Sequence, residues 1–391
     1  MSASKAQRRN APLAPQADGS LFQLLTQYPN EQSAEAYFAA LRWPDGRYCP
    51  KCSSNSTYDS RTSRRLTTYK CATCEYKFTV TSGTVMEGTH LSLRHWLFAF
   101  RLIGGSKHGI SSRALARHLG ITLKSAWHLS HRIRATMKDD SQFFSHGIVE
   151  ADETYIGGKR HGKGRGYRGN KMAVMTIVER DHGLHPGVKG KTGGKDCEGE
   201  CPGRAQTIAL QPDADKVDGR TVSAKLRKHT DPETTHLMTD ESNIYGTLGK
   251  SYMTHDTVNH AQNEYVRIDP ETGLLISTNT AEGLFGNLKR QIQGTHHSTS
   301  KKHLPKYLEE YDYKYNNRDK SDVELTEGAM GRIGETKPLP LYRGKRGGEG
   351  LMERPAKPGT GKTVRGLHSR VKHPSGRKGV PSTVRTARKG R

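Results

Sequence analysis

The chain has 391 residues, long enough for two or three domains, and carries 63 Lys or Arg against 39 Asp or Glu, a formal charge of +24. An excess of this size points to a polyanionic partner, DNA or RNA, while a hydrophobic fraction of 32 % is too low for every segment to join a core. No run reaches the ~18 apolar residues of a membrane span and the basic start has no apolar signal core. A cytoplasmic, nucleoid-associated protein is therefore expected, with its six cysteines serving as metal ligands or free thiols and not disulfides.

Residues 1–20 read as a disordered leader. Leu21, Leu24, Leu25, Ala34, Tyr37, Phe38 and Leu41 recur at helical spacing, so 21–46 is predicted to be a helical segment, ended by Trp43-Pro44-Asp45-Gly46. In 47–85, Cys49 and Cys52 form one C-x-x-C turn and Cys71 and Cys74 another. Each turn aims two thiolates at one tetrahedral ion, which predicts a zinc ribbon whose metal supplies much of its folding free energy. Tyr69, Lys70, Tyr76, Lys77 and Phe78 suit either DNA contact or the ribbon's own small core.

Residues 90–140 predict a helix-turn-helix. Ser111 or Ser112 caps a first helix with Ala114, Leu115 and Leu119 on its apolar face; Gly120 makes the turn. A second helix is predicted to bury Ala126, Trp127, Leu129 and Ile133 and to expose Thr122, Lys124, Ser125, His128, His131 and Arg132. Lys124, Ser125, His128 and Arg132 are the candidate DNA-binding residues, joined by Arg290 further on. An ordinary helical hairpin with a basic face is the plainer reading.

From 145 to 320 the pattern becomes mixed α/β. Strands are predicted at 147–156, 171–180, 205–211 and 235–239, and helices at 221–229, 279–292 and 301–316. Three carboxylates mark a candidate site: Asp152 inside the first strand, Asp240 at the end of the fourth, and Glu282 on a helix. Charged residues in strands are unfavourable unless paired or metal-bound, and two divalent ions need shared carboxylates. Lys289 lies two helical turns beyond Glu282, placed to hold a DNA phosphate. Glu150 competes with Asp152 from the same strand face, and Asn279 stands one turn before Glu282. Cys197 and Cys201, in a loop over 182–204, read as free thiols. The PGTGKT run at 358–363 lacks the leading glycine and the strand of a phosphate loop and is rejected.

The segments VEADETYIGGK, LMTDE and NTAEGLFGNLKRQIQGTHHSTSKKHLPKYLEEYDYKYNNR, with the ribbon and the helical pair, resemble the zinc-ribbon DDE transposases of bacterial insertion sequences, the ISXO-like branch, over residues 21–320. That resemblance implies an RNase H-like core over 145–320 that cuts at element ends and joins the 3′ hydroxyl to target DNA with Mg²⁺ or Mn²⁺. It assigns Asp152, Asp240 and Glu282 to the metals and Lys289 to the basic position. Some members of the branch carry Asn third, which keeps Asn279 in play as ligand or substrate contact. It also implies a homo-oligomer on DNA. A catalytically inactive, transposase-derived regulator is the alternative from another class, and a structure-specific nuclease the third reading. Residues 333–391, with 16 Lys or Arg against three Glu, are predicted to be a disordered tail that binds phosphates without reading sequence.

Overall fold

The computed structural model describes residues 20–62, 66–138, 145–157, 171–182, 189–192, 195–198, 201–210, 217–246 and 248–336. The leader, the Gly/Lys/Arg-rich loop at 158–170, the PGTGKT run and the tail from 337 lie outside them.

The first helical segment divides into α1 (Leu21–Gln27) and α2 (Glu31–Arg42). Pro29 has no N–H to continue α1 and holds Tyr28 out of the helical region, while Asn30 accepts the Ser33 N–H and starts α2 afresh. The ribbon is an antiparallel sheet of β1 (Thr57–Thr62), β2 (Thr67–Cys71) and β3 (Lys77–Phe78). Tyr69 and Phe78 are buried against Trp43, so these two aromatic residues fill the small core. Three helices follow: α3 (Leu93–Gly104), α4 (Ser112–Leu119) and α5 (Leu123–Thr136). Ser111 caps α4, Gly120 ends it at φ +64°, and Thr122 caps α5.

The second half is built on a mixed sheet. Its strands are β4 (Ser145–Ile156), β5 (Met172–His182), β8 (Cys201–Ala209), β9 (Thr230–Asp240) and β10 (Thr254–Val258), in the order β10-β9-β4-β5-β8. β4, β5 and β8 run antiparallel, whereas β9 and β10 run parallel to β4. The segment expected to be a loop over 182–204 contains a hairpin of β6 (Lys189–Thr192) and β7 (Lys195–Glu198), and Cys197 falls in β7. A further hairpin, β11 (Val266–Ile268) and β12 (Leu275–Ser277), follows β10. One face of the sheet carries α6 (Gly219–His229) and α7 (Asn243–Gly246), with Val149, Ala151, Val222, Leu226 and Tyr245 in their core. The other carries α8 (Asn279–Arg290) and α9 (Leu304–Asn316), with Ile156, Val174, Leu284, Leu288 and Leu308. Two-residue alternation on β4 divides its side chains between these faces.

Finally α10 (Asp322–Gly331) turns back to the N-terminal helices. A Cβ on Gly104 of α3 would meet the Thr326 hydroxyl at 2.5 Å, so glycine permits this crossing. The start of the expected tail needs correction: Ile333 is fully buried in the same core, and its carbonyl accepts the Val85 N–H.

Candidate active site

The four ribbon cysteines converge. Their sulfur atoms all lie within 4.8 Å of one another, with Cys49 and Cys74, and Cys52 and Cys71, each 3.6 Å apart. Each knuckle closes in the same way: Ser53 donates its N–H to the Cys49 carbonyl and Glu75 to that of Cys71, both from a left-handed conformation. Backbone N–H groups of Cys74 and Thr73 favour the Cys71 thiolate and bring its pKa down to about 6, against burial. Four convergent sulfurs with one thiol already lowered fit a structural zinc ion.

The second cluster is carboxylate. The β4–β9 pairing ends at Glu150 and Met238, two residues before Asp152 and Asp240; Glu282 comes from the first turn of α8, and the charges of Asp240 and Glu282 both act on Asp152. Burial, chiefly, with the charges of Asp240, Glu153 and Glu282 added, pushes Asp152 up to about 7, although the Glu153 N–H donates to it at 2.7 Å. Asp240 accepts the Ser242 N–H at 3.0 Å. Among the described residues no Lys or Arg pairs with Asp152 or Asp240. Asp152 thus lies among carboxylates without a basic partner, while the ribbon cysteines are the one group of three or more potential ligands that converges among the described residues.

Glu150 differs entirely. It is fully buried, takes the Arg180 guanidinium at 2.5 Å, and accepts the Ala281 N–H at 2.9 Å. Arg180 donates further to the carbonyls of Leu275 and Ser277. Glu150 therefore braces the start of α8 and holds Glu282 in its place beside the sheet. On the opposite face of β4, Glu153 receives the hydroxyl of the buried Tyr245, and burial raises its carboxyl to about 7.

Asn279 is exposed at the start of α8. Lys289 is half-buried, its ammonium 5.9 Å from the Phe285 ring centre, and the exposed Arg290 donates to Asn287 at 2.7 Å. On α5, Lys124 is exposed and His128 half-buried, while the Ser125 hydroxyl accepts from Thr122 within the cap. Three expectations on this helix are corrected. Arg132 is buried, donating to the Glu87 carbonyl at 2.8 Å; His131 is buried as well. Trp127, expected inside, is only half-buried, its ring 5.0 Å from that of His303. Tyr307 of α9 covers His131, and the Glu87 carbonyl with the Trp96 ring covers Arg132, closing faces of α5 that periodicity alone leaves open.

Two residues near the acids escaped the sequence reading. Glu153 was hidden beside Asp152 because strand alternation does not say which face will be roofed by a tyrosine. His260, whose Nε2 is 3.3 Å from Glu282, sits in a segment without periodicity, in a chain with 19 histidines.

Comparison with known families gives two matches: the ISXO2-like transposase domain over residues 145–316 and the transposase zinc-ribbon domain over residues 29–77. The chain is also similar to a protein of Halobacterium salinarum described as an uncharacterized protein in transposable element ISH50. The two are 25 % identical over 297 residues, covering 72 % of this chain and 89 % of that protein.

Proposed function

Since the chain belongs to the ISXO2-like transposase family, we propose that it is a DNA transposase that binds the ends of an insertion sequence, cuts there and joins the cut strand to target DNA. The observation that carries this reading is the approach of Asp152, Asp240 and Glu282 from two adjacent strands and a helix, with the Asp152 carboxyl raised to about 7. In this proposal the sheet is an RNase H-like core, a reading its mixed strand order supports. The three carboxylates hold Mg²⁺ or Mn²⁺, and when bound such ions activate the attacking hydroxyl and stabilise the leaving oxygen. Lys289 neutralises a DNA phosphate beside the acids, and Asn279 contacts the substrate strand one turn earlier. Lys124, Ser125 and His128, in a helix-turn-helix of α4 and α5, read the element end, and Arg290 adds a phosphate contact. Arg132 is withdrawn from that set by its burial. Zinc keeps the ribbon folded, and two or more copies act together on paired ends. The relative within a transposable element supports the same assignment.

The test is strand cleavage of DNA carrying the native element ends in Mg²⁺. Wild-type protein is expected to nick at the end, while Asp152→Asn and Asp240→Asn lose cleavage by orders of magnitude and keep end binding, because an amide preserves shape but holds cations poorly. Wild-type turnover by either variant defeats the site assignment. Binding without cleavage by the wild-type chain supports the regulator instead.

A further inference from the structure

We propose that His260 is a positioning residue of the acidic centre, fixing the carboxylate of Glu282 for the divalent ion; the inference rests on the function proposed above. Glu282 is the most exposed of the three acids, its side chain 47 % accessible, and it stands on a long side chain with several rotatable bonds. Left alone it must be ordered each time an ion binds, at an entropic cost. His260 supplies the restraint. It lies on the turn His260–Gln262 after β10, the strand beside β9, whose end carries Asp240. Its Nε2 is 3.3 Å from Oε1 of Glu282 and 3.4 Å from the Thr278 hydroxyl just before α8. Thr278 makes no capping bond with its side chain, which leaves that hydroxyl to the imidazole. The ring is itself held: Asn259 accepts the Gln262 N–H and fixes the turn, and Tyr265 packs on the imidazole at 5.2 Å between ring centres. Among the described residues no Lys or Arg pairs with Glu282. His260 approaches Oε1 and so leaves the lone pairs of Oε2 for an ion, the arrangement by which outer partners orient a ligand and strengthen its binding.

The experiment measures Mn²⁺ binding to full-length, zinc-loaded protein by electron paramagnetic resonance of the free ion. The variants are His260→Ala, His260→Gln and His260→Asn, with Asp152→Asn and Glu282→Gln as references. His260→Ala is expected to weaken binding about tenfold or more. His260→Gln is expected to restore most of it, since its amide N–H falls where Nε2 stood; the shorter Asn is expected to restore little. Circular dichroism and end binding should not change, and cleavage by His260→Ala should recover at high Mn²⁺. Wild-type affinity in His260→Ala, alongside weak binding in Asp152→Asn, overturns the role of His260 alone. Gln as weak as Ala, in folded protein, also overturns it, because His260 then acts as a direct ligand or by shape. If Ala fails to fold, the contrast between Gln and Asn decides. Unchanged Mn²⁺ binding in both reference variants overturns the proposed metal centre and His260 with it.

Discussion

Glu150 and Asp152 stand two residues apart on one face of β4, and their surroundings assign them opposite work. Glu150 is neutralised by Arg180 and bonded to the start of α8. Removing its charge leaves a buried guanidinium uncompensated, so Glu150→Gln should destabilise the protein by roughly 3–5 kcal/mol. Asp152 lies among like charges with its pKa raised to about 7. The folded form then binds a proton that the unfolded chain, with an ordinary carboxyl near 4, has already released. The contribution of Asp152 to stability therefore falls as pH rises from about 4 to about 7 and is flat above that. Asp152→Asn removes this penalty. In Mg²⁺-free buffer the variant should be more stable than wild type by on the order of 1–3 kcal/mol at pH 8, and the gain should vanish near pH 4. Urea unfolding at the two pH values measures both effects. A destabilising Asp152→Asn at pH 8 shows that its carboxylate is structural. The sequence places both acids on one face by alternation alone, but it cannot rank them, because the deciding partner, Arg180, is set beside Glu150 only once β4 and β5 pair.

At the scale of elements, the interface of α5 with α9 is polar where two helices usually meet through apolar residues. Arg134 of α5 and Glu310 of α9 form a fully buried pair at 2.6 Å, joined by Lys314. Around them His131, with both ring nitrogens unpartnered, and His296 pack on Tyr307. Burial, with Arg134 next, lowers His131 to about 2 and His296 to about 4. The unfolded chain binds protons on both near 6.5, so the folded state loses stability as pH falls from about 6.5 towards 4. Asp152 and Glu153 contribute in the opposite direction over the same range, so thermal unfolding reads the histidine contribution as the difference between variant and wild type in the change of stability from pH 7.5 to pH 5. His131→Phe, which keeps a ring against Trp127 and Tyr307, should raise stability at pH 5 relative to pH 7.5 by on the order of 1–3 kcal/mol compared with wild type. Equal acid loss in variant and wild type places the sensitivity elsewhere. A period of 3.6 marks one apolar stripe, whereas Arg134 is buried by Glu310 in this interface and Arg132 by the Glu87 carbonyl and the Trp96 ring outside it, partners distant in sequence that explain the misreading of α5. Long elements such as α8 and β4 were legible, with their bounds off by a residue or two. β11 and β12, three residues each, are too short to carry a period, and α10 has almost no amphipathic signal of its own because it packs Leu325, Thr326, Ala329 and Met330 around Gly104.

Across the whole molecule, the ribbon is no appendage. Cys49 and Cys71 belong to one continuous core with Phe38, Trp43, Phe78, Trp96, Phe100, Leu115 and Met330, so the zinc site supports the helices and α10 together with its own hairpins. The spacing of the cysteines made the metal site legible, whereas its continuity with α10 depends on contacts across more than two hundred residues. Purified protein should hold about one zinc per chain. Extracting it, or introducing Cys49→Ser or Cys71→Ser, should loosen residues 21–138 and 322–333 as a unit, since metal binding and folding of such a site share one free energy. The sheet has separate cores on its two faces and should persist. The chain supplies its own reporter: all three tryptophans, Trp43, Trp96 and Trp127, lie in the helical half. Chelation should therefore red-shift tryptophan emission and speed amide exchange in α3 while β4 and β5 keep their protection. Loss of protection in the sheet at the same chelator concentration would mean one cooperative unit, joined through Arg134 and Glu310. Emission and exchange that ignore chelation would separate the ribbon from the helical core after all.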